Sequence, residues 1–272
     1  MKDIGLAAIV KDEESNIVNM LESTSGICSE LCVLDTGSTD ETVRLAEEQG
    51  AKVLCGPWND DFSEARNRSL DMVTKPWTLI LDGDEVLVVS VNSSNDFINQ
   101  SANADCLCIN IKHLNDNGKV LGSNWSIRLF RTKSGFRYEG RIHNLLIRPN
   151  DARVLKSEAF RIEHYGYSKS RIAKKSTQRL AMIESEIDRY PNSPLPYYYK
   201  ARHLLQLGKI ADLNIIIGLF VFSIERNLPL PTFETAVMLL CEATRLKNTF
   251  ILNNSYMEEL VSICCRASIE FP

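Results

Sequence analysis

The chain has 272 residues, of which 44% are hydrophobic and 24% are charged, the composition of an ordinary globular protein. Its length corresponds to one large domain or to two unequal ones. With 31 basic against 35 acidic residues, the net charge is -4. This balance disfavours nucleic acid as a partner, because binding to a phosphate backbone needs clustered positive charge.

The sequence predicts neither a membrane span nor a secretion signal. The longest uncharged stretch of the C-terminal half, residues 213–224, is shorter than the roughly 20 apolar residues of a spanning helix. The apolar residues 4–10 are followed at once by charged residues 11–14, where a signal peptide would have small residues. The eight cysteines include no CxxC pair, so free and mostly buried thiols are expected. We predict a cytoplasmic protein without an integral membrane segment.

Residues 1 to about 85 alternate β-branched runs with helix-like stretches, a pattern typical of βα units and a mainly parallel sheet. The predicted strands are Ile4–Val10, Leu31–Leu34, Ala51–Leu54 and Thr78–Leu81. The predicted helices are Glu14–Ser25, Asp40–Gln49 and Phe62–Val73. Ser38 and Glu41 have the spacing of a capping box, which supports a helix that begins after the turn Asp35-Thr36-Gly37.

From about residue 104 to 165, strand-like runs follow one another without helical periodicity. We expect them to extend the sheet with antiparallel or mixed strands. They are Cys106–Ile111, Ile127–Phe130, Leu145–Ile147 and Phe160–His164.

Beyond Tyr167 the pattern is helical. Four apolar or aromatic residues share one face of the first helix, namely Leu180, Ile183, Ile187 and Tyr190. The segment Tyr190-Pro191-Asn192-Ser193-Pro194 ends that helix before another begins near Leu195. Two or three helical hairpins are expected to follow.

The acidic segment Asp82-Gly83-Asp84-Glu85 directly follows the apolar run of residues 77–81. Ligands of open α/β sheets bind outside the carboxyl ends of the strands, so these carboxylates lie where a site is expected. Two aspartates separated by one residue can approach one divalent cation, and the glycine leaves room for close approach. A solvated acidic loop is an equally good interpretation of this segment alone.

A second carboxylate, Asp35, ends another apolar run and leads into a helix. Its position suggests a nucleotide bound across the sheet edge, although a turn-forming aspartate would look the same. The chain contains neither GxGxxG nor GxxxxGK[ST], which disfavours nicotinamide enzymes and P-loop NTPases.

Four segments resemble, in order and spacing, the motifs of the family 2 glycosyltransferases with a GT-A fold. They are residues 9–14, 33–40, 58–67 and 79–85. More narrowly, the chain is similar to the bacterial branch that carries TPR-like helical repeats after the catalytic domain, which includes peptide S- and O-glycosyltransferases of the glycocin type. The resemblance implies an α/β GT-A domain with a mixed, mainly parallel, Rossmann-like sheet over residues 1–168. A smaller all-α TPR-like domain is implied for residues 169–272.

The resemblance also implies that the nucleotide of a UDP-sugar donor lies beside the first two strands. Asp35 corresponds to the aspartate that contacts uracil in the family. Val10, Lys11 and Glu13 lie in the first nucleotide-binding loop.

The diphosphate and a divalent cation, Mn²⁺ or Mg²⁺, are implied at the acidic segment. Arg66 corresponds to a basic residue beside the diphosphate, and Asp82 with Gly83 to the ribose or metal side. Asp84 corresponds to a metal ligand. His164, in His164-Tyr165-Gly166-Tyr167, is a candidate third metal ligand or phosphate contact, and a structural histidine is the alternative.

The acceptor side is less well defined. Where relatives commonly have His-Glu, this chain has His143-Asn144, and an amide cannot serve as the base of an inverting transfer. Glu139 and His143 are therefore the candidates for the catalytic base, with a Glu139 salt bridge and an ordinary surface histidine as the alternatives. Trp125 and Arg128 are candidates for lining the acceptor side, although Trp125 is equally suited to the core.

The predicted function is thus an inverting, metal-dependent transfer of a sugar from a UDP-sugar to a peptide, protein or surface-glycan acceptor. The helical region is expected to serve acceptor recognition or self-association into a homo-oligomer. Two other functions stay open. Residues 82–86 also fit the DxDx[TV] signature of a phosphohydrolase, although that signature normally opens its domain. The chain could also bind a sugar nucleotide without turnover.

Overall fold

The computed structural model describes residues 3–90, 97, 99–115, 117–142, 144–165, 169–191, 196, 199, 200, 203 and 204. Within this set, the side chains of residues 158 and 169–178 are not described. The predicted hairpins beyond residue 204 and the uncharged stretch 213–224 lie outside the described residues.

The first half of the chain consists of βα units, as the sequence predicts. Strands and helices alternate in the order β1 (Ile4–Val10), α1 (Ile17–Ser23), β2 (Glu30–Asp35), α2 (Thr42–Glu48), β3 (Lys52–Cys55), α3 (Phe62–Met72) and β4 (Trp77–Ile80). All seven predicted elements of this half are confirmed, each within three residues at either end. The hydrophobic pattern is therefore sufficient to locate them.

The second half is built mainly from strands. They are β5 (Glu85–Val89), β6 (Cys106–Leu114), β7 (Val120–Arg131), β8 (Arg137–Glu139), β9 (Leu145–Ile147) and β10 (Val154–His164). The four predicted strands correspond to β6, β7, β9 and β10, whereas β5 and β8 were not predicted.

Eight strands form one sheet in the order β3-β2-β1-β4-β7-β6-β10-β5. The pairs β1 with β2, β1 with β4, β2 with β3 and β6 with β10 are parallel. β7 is antiparallel to β4 and β6, and β5 is antiparallel to β10. The sheet is mixed and mainly parallel, which confirms the predicted fold class.

The prediction that Leu145–Ile147 extends this sheet is wrong. β9 pairs instead with β8 in a separate two-stranded sheet. β7 and β10 are the strands of the large sheet that precede and follow the β8–β9 pair in the chain. Each is already paired on both sides, β7 with β4 and β6 and β10 with β6 and β5, so neither offers a free edge to β9. Leu145 and Ile147 are consequently 63% and 41% exposed.

Apolar residues cover both faces of the sheet. Leu6 and Ala8 of β1 pack in one cluster, while Ala7 between them belongs to a cluster on the other face. The first cluster includes Ile17, Met20 and Leu21 of α1, and the second includes Leu70 and Val73 at the end of α3. This alternation follows from the two-residue period of a strand and gives helical layers on the two faces of the βα sheet.

The five cysteines that the structure describes are free thiols. Cys32 and Cys106 are buried, and burial raises the pKa of each to about 11. Cys55, at the end of β3, is exposed.

The chain divides into two compact units, Met1–Ile172 and Ala173–Pro272. The helix α4 (Lys169–Arg189) ends immediately before the predicted break at Tyr190. Ile183 is buried, as expected for its apolar face, whereas Tyr190 is 53% exposed. Among the described residues, no helix is both long and apolar enough to cross a membrane.

Candidate active site

Most of the predicted site residues lie at one edge of the large sheet. The parallel strands β1 to β4 end at this edge. β7 is antiparallel to both β4 and β6, so β6 runs in the same direction as β4, and β6 and its parallel neighbour β10 also end at this edge. β5 starts there, with Glu85 opposite His164. Arg128 lies on β7 beside the end of β4. The edge therefore collects side chains from both halves of the domain.

Asp35, the last residue of β2, is held by its own turn. Its Oδ1 accepts the backbone N–H groups of Gly37 and Ser38, at 2.9 Å each, and the Ser38 hydroxyl donates to Oδ2. Gly37 has a φ of +103°, in the region that favours glycine. The Ser38 hydroxyl also accepts the N–H of Asp12 at 2.9 Å. The loops after β1 and β2 are thus connected directly.

The predicted capping box of Ser38 and Glu41 is wrong. The Ser38 hydroxyl is turned back to Asp35, and the Glu41 carboxylate accepts from Arg44 at 2.5 Å. The backbone at the start of α2 is bonded instead by Asp40, whose Oδ1 accepts the N–H of Thr42, the first residue of the helix, at 3.0 Å. The Ser38 hydroxyl that a capping box requires is bonded to the Asp35 carboxylate instead.

The loop after β1 lies against the acidic segment. Val10 and Glu13 are 3% and 6% exposed, whereas Lys11 is exposed. A Cβ atom at Gly83 would lie 2.9 Å from Cγ of Glu13 and 3.4 Å from Cγ1 of Val10. Any larger residue at position 83 would therefore displace the Glu13 side chain, which Asn16 Nδ2 holds at 2.5 Å.

Two arginines hold the first aspartate of the acidic segment. Arg66 Nη2 lies 2.5 Å from Asp82 Oδ1, and Arg128 Nη2 lies 3.7 Å from Asp82 Oδ2. Arg128 also donates to Glu85 at 2.7 Å, and Glu85 accepts the backbone N–H of Asp82 at 2.9 Å. The Arg66 guanidinium lies 5.2 Å from the centre of the Tyr138 ring. We call these four charged residues, 66, 82, 85 and 128, the arginine–carboxylate cluster.

Burial and charge act differently on the two carboxyl groups of this cluster. Burial raises the pKa of Asp82, but Arg66 and Arg128 outweigh it and hold that pKa well below its usual range. Burial, which Arg128 only partly offsets, raises the pKa of Glu85 to about 7. The Nε atoms of both arginines are buried and have no hydrogen-bond partner among the described residues. The cluster therefore retains donor capacity beyond its internal ion pairs.

The second aspartate of the segment faces the end of β10. His164 Nε2 lies 3.5 Å from Asp84 Oδ1. Burial lowers the pKa of His164, but the hydrogen bond and negative charge of Asp84 prevail, so the pKa is raised. A carboxylate oxygen and an imidazole nitrogen at this separation suit two ligands of one divalent cation. No group of three or more metal-binding side chains occurs among the described residues, and Asp82 is occupied by arginines. The fit is therefore that of a two-ligand site.

α3 positions the segment that carries Glu139. Asn67 donates through Nδ2 to the carbonyl of Tyr138 and accepts its N–H through Oδ1, both at 2.9 Å. The Ser63 hydroxyl donates to the carbonyl of Gly140 at 2.6 Å. Glu139 is exposed between these anchors. His143, the other candidate base, lies outside the described residues.

The two acceptor-side candidates lie in different surroundings. Trp125 on β7 is 44% exposed, with Lys156 Nζ 5.0 Å from its ring centre, so it is not a core residue. Arg128 belongs to the arginine–carboxylate cluster. Their roles toward an acceptor stay predictions.

Sequence reasoning missed three residues that build this site. Glu85 stood in the acidic segment but received no role, and its only signal was its position before a β-branched run. Asn67 ends a recognised motif, yet its partner Tyr138 is 71 residues away. His113, which contacts His164, carries no local signal because only strand register brings the two together.

A sheet of this order, with an aspartate turn after its second strand and an acidic segment after its fourth, is that of a GT-A-type fold. The model of glycosyl transferase family 2 matches residues 8–160, more than half of the chain, and the chain belongs to this family. The predicted family is confirmed.

Relatives agree with this assignment. A TPR repeat-containing protein of Synechococcus elongatus is 33% identical over 186 residues, which are 65% of this chain and 45% of that protein. The SPbeta prophage-derived glycosyltransferase SunS of Bacillus subtilis is 22% identical over 93% of this chain and 61% of its own length. The aligned part of this chain thus spans less than half of the first relative and about three fifths of the second.

The fold also matches a solved structure over almost its whole length. The crystal structure of S. aureus TarS 1–349 has a TM-score of 0.51 and 14% sequence identity, and the match covers 99% of this chain and 92% of that one. At this identity the likeness shows the fold alone.

Proposed function

We propose that the protein is a metal-dependent glycosyltransferase that uses a UDP-sugar as its donor. The proposal rests on two features that share one sheet edge. Asp84 and His164 face each other across 3.5 Å, and two arginines with buried Nε atoms lie beside Asp82. The first feature suits a divalent cation and the second suits anionic oxygens, so together they complement a nucleoside diphosphate.

Asp84 Oδ1 and His164 Nε2 would hold Mn²⁺ or Mg²⁺, with donor phosphate and water oxygens as the other ligands. Bound there, the cation would neutralise charge that develops on the departing UDP.

The chain's own residues would orient the donor. Arg66 and Arg128 are fixed in place by Asp82 and Glu85, so their positive charge is already arranged before a diphosphate arrives. The aspartate turn at Asp35 and the buried Glu13 side chain give the uridine end a rigid border. Preorganised donors need no rearrangement as charge develops, which is the source of their effect on rate.

For the acceptor we propose a peptide or protein, with a surface glycan as the alternative, and inversion at the anomeric carbon. Inversion requires a base for the acceptor's proton, and we assign that role to Glu139 or His143. A thiol acceptor, with an unperturbed pKa near 8.5, would need less help from a base than a hydroxyl. The helical region is proposed to bind the acceptor or a second copy of the chain.

The donor site is tested by thermal shift with UDP-sugars and GDP-sugars, with and without Mn²⁺. At a ligand concentration about 100 times Kd, the correct donor should stabilise the protein by about 2.7 kcal/mol. Asp84→Asn should abolish the Mn²⁺-dependent part of this shift. Asp71→Asn, which alters an exposed aspartate paired with Arg137, should not change it. An unchanged shift in the Asp84 variant, or in the presence of chelator, would show that the metal assignment is wrong.

The base is tested by turnover of the donor identified in that screen. Glu139→Gln should slow transfer to a hydroxyl acceptor by about 10²-fold or more if Glu139 is the base, with the donor Kd unchanged. Full transfer by this variant would exclude Glu139, and full transfer by His143→Ala as well would show that neither residue is the base. Donor binding without any single-turnover transfer by the unaltered protein would instead favour the non-catalytic alternative.

A further inference from the structure

Tyr138, the middle residue of β8, lies beside the arginine–carboxylate cluster but takes no part in its ion pairs. Its side chain is only 9% exposed, and the guanidinium carbon of Arg66 lies 5.2 Å from the centre of its ring. The same side chain belongs to the core cluster that contains Phe130 and Phe136. The ring is thus fixed between the hydrophobic core and the charged cluster.

The backbone of Tyr138 is held from two sides. Asn67 on α3 donates to its carbonyl and accepts its N–H, both at 2.9 Å, and Leu146 of β9 is its partner in register. Neither contact involves the hydroxyl. The position of the phenol ring therefore follows from the fold and does not depend on a hydrogen bond of its own hydroxyl.

The Tyr138 hydroxyl makes no hydrogen bond among the described residues. Nor is it one of the described polar atoms that lack a partner and are sealed from solvent, so a bound molecule can reach it. Burial raises the pKa of Tyr138, and the charges of all four residues of the arginine–carboxylate cluster also act on that pKa. The hydroxyl is therefore protonated at neutral pH and lies within electrostatic reach of the cluster. Buried tyrosine hydroxyls usually have a hydrogen-bond partner, and the described part of this chain supplies none.

We propose that the Tyr138 hydroxyl donates a hydrogen bond to an anionic phosphate oxygen of the donor. This inference rests on the proposed function and adds a binding residue to it. The Nε atoms of Arg66 and Arg128 also lack partners, whereas the carboxylates of Asp82 and Glu85 are engaged by these arginines. Three donor groups without an acceptor match a phosphate oxygen, which only accepts. A sugar hydroxyl would instead bring a hydrogen that needs an acceptor of its own.

The proposal gives Tyr138 a role in the transfer itself. As the bond between the sugar and the diphosphate breaks, its electron pair goes to the diphosphate oxygen, and the negative charge there increases. A hydrogen bond from a hydroxyl that the fold already holds in place becomes stronger at that moment. Loss of the hydroxyl should therefore affect turnover at least as much as it affects binding of UDP.

The test is Tyr138→Phe in the full-length protein, because this change keeps the packed ring and removes only the hydroxyl. Calorimetric titration with UDP in the presence of Mn²⁺ should show a Kd about 10-fold higher than that of the unaltered protein. With the donor identified by thermal shift, kcat should fall by at least the same factor. Tyr190→Phe, which removes the hydroxyl of a half-exposed tyrosine directly after α4, is the matched control and should change neither value.

The Tm of the same variant separates binding from a structural role. Because the hydroxyl has no partner in the described part of the chain, Tyr138→Phe should leave Tm unchanged in the absence of UDP. A lowered Tm with an unchanged Kd would overturn the inference, since the hydroxyl would then serve the fold. Unchanged UDP affinity with weaker binding of the UDP-sugar would also overturn it, because the contact would be to the sugar. If the unaltered protein bound neither UDP nor a UDP-sugar, the proposed function itself would be wrong.

Discussion

Asp82 and Asp84 are two residues apart, yet their carboxylates have different partners. Asp82 lies between Arg66 and Arg128, while Asp84 faces His164. In an extended segment, alternate residues would point the same way, but Asp82 to Glu85 forms a turn in which Glu85 N–H bonds the carbonyl of Asp82 at 3.0 Å. The turn therefore separates an aspartate that pairs with two arginines from one that faces a histidine.

The partners of Asp82 predict a structural cost for its removal. Asp82→Asn should lower the free energy of unfolding by about 3 kcal/mol, because the mostly buried Arg66 loses its counter-charge. Asp71→Asn is the control, since its pair with Arg137 is about half exposed and should contribute less than about 1 kcal/mol. Urea denaturation of both variants measures the difference. Equal losses would mean that the Asp82 ion pair contributes no more than a surface pair.

At the residue scale, the sequence identified the carboxylates better than their partners. Asp35, Asp82 and Asp84 each follow an apolar run, so strand ends locate them without any knowledge of the sheet. Their partners come from distant elements: Arg128 lies 46 positions after Asp82, and only the antiparallel register of β7 with β4 brings them together. Trp125 was predicted ambiguously because residue type alone does not distinguish an exposed sheet face from a core.

Among the elements, β6 and β10 are parallel neighbours in the second half of the sheet. Asp105 connects the ends at which these two strands begin. Asp105, just before β6, accepts the backbone N–H of Arg153 at 2.9 Å and its side chain at 2.9 Å and 3.1 Å. Its own N–H donates to the carbonyl of Arg153, and its carbonyl accepts from Arg131 at the end of β7. At the end of the sheet opposite the candidate site, Asp105 thus connects the start of β6 to Arg153, just before β10, and to Arg131 at the end of β7.

This arrangement predicts a pH-dependent contribution to stability. The hydrogen bonds from Arg153 hold the pKa of Asp105 well below its usual range. A carboxyl whose pKa is lower in the folded state stabilises the protein above its unfolded value of about 3.9, and this stabilisation is lost as the pH falls below that value. Asp105→Asn should therefore lower Tm at pH 7, and the difference from the unaltered protein should shrink between pH 4 and pH 2.

Thermal unfolding followed by circular dichroism across this range checks the prediction. Asp151→Asn, at an exposed position in the turn that precedes β10, is the control and should show no such convergence. A Tm difference that stays constant as the pH falls would show that the pair with Arg153 does not depend on the Asp105 charge.

The elements themselves were predicted unequally, for physical reasons. The βα units of the first half contain long apolar runs and amphipathic stretches, whose periods differ enough to be told apart. β8 has only three residues and one buried side chain, Tyr138, so it leaves almost no pattern. β9 was located correctly but assigned to the wrong sheet, because alternation gives the existence of a strand and not the identity of its neighbour.

For the whole molecule, the sheet order explains why one edge holds every described residue that we assign to donor binding. Four parallel βα strands bring Val10, Asp35 and the acidic segment to one edge. The second half then adds two residues to the same edge: Arg128 on β7, which is antiparallel to β4 and β6, and His164 at the end of β10, which is parallel to β6. These residues all precede Ile172, the last residue of the first compact unit. Donor binding should therefore belong to that unit.

This placement predicts the behaviour of a fragment that contains residues 1–172. Its Kd for UDP with Mn²⁺ should stay within about threefold of the full-length value, a difference below about 0.7 kcal/mol, because the fragment keeps the complete set of donor ligands. If residues 173–272 bind the acceptor, as we propose, transfer to a macromolecular acceptor should fall much more than donor binding. Calorimetric titration with UDP and Mn²⁺, on a fragment whose cooperative unfolding is first confirmed, provides the measurement. A cooperatively folded fragment that fails to bind UDP would place part of the donor site in the helical unit and contradict the division of roles proposed here.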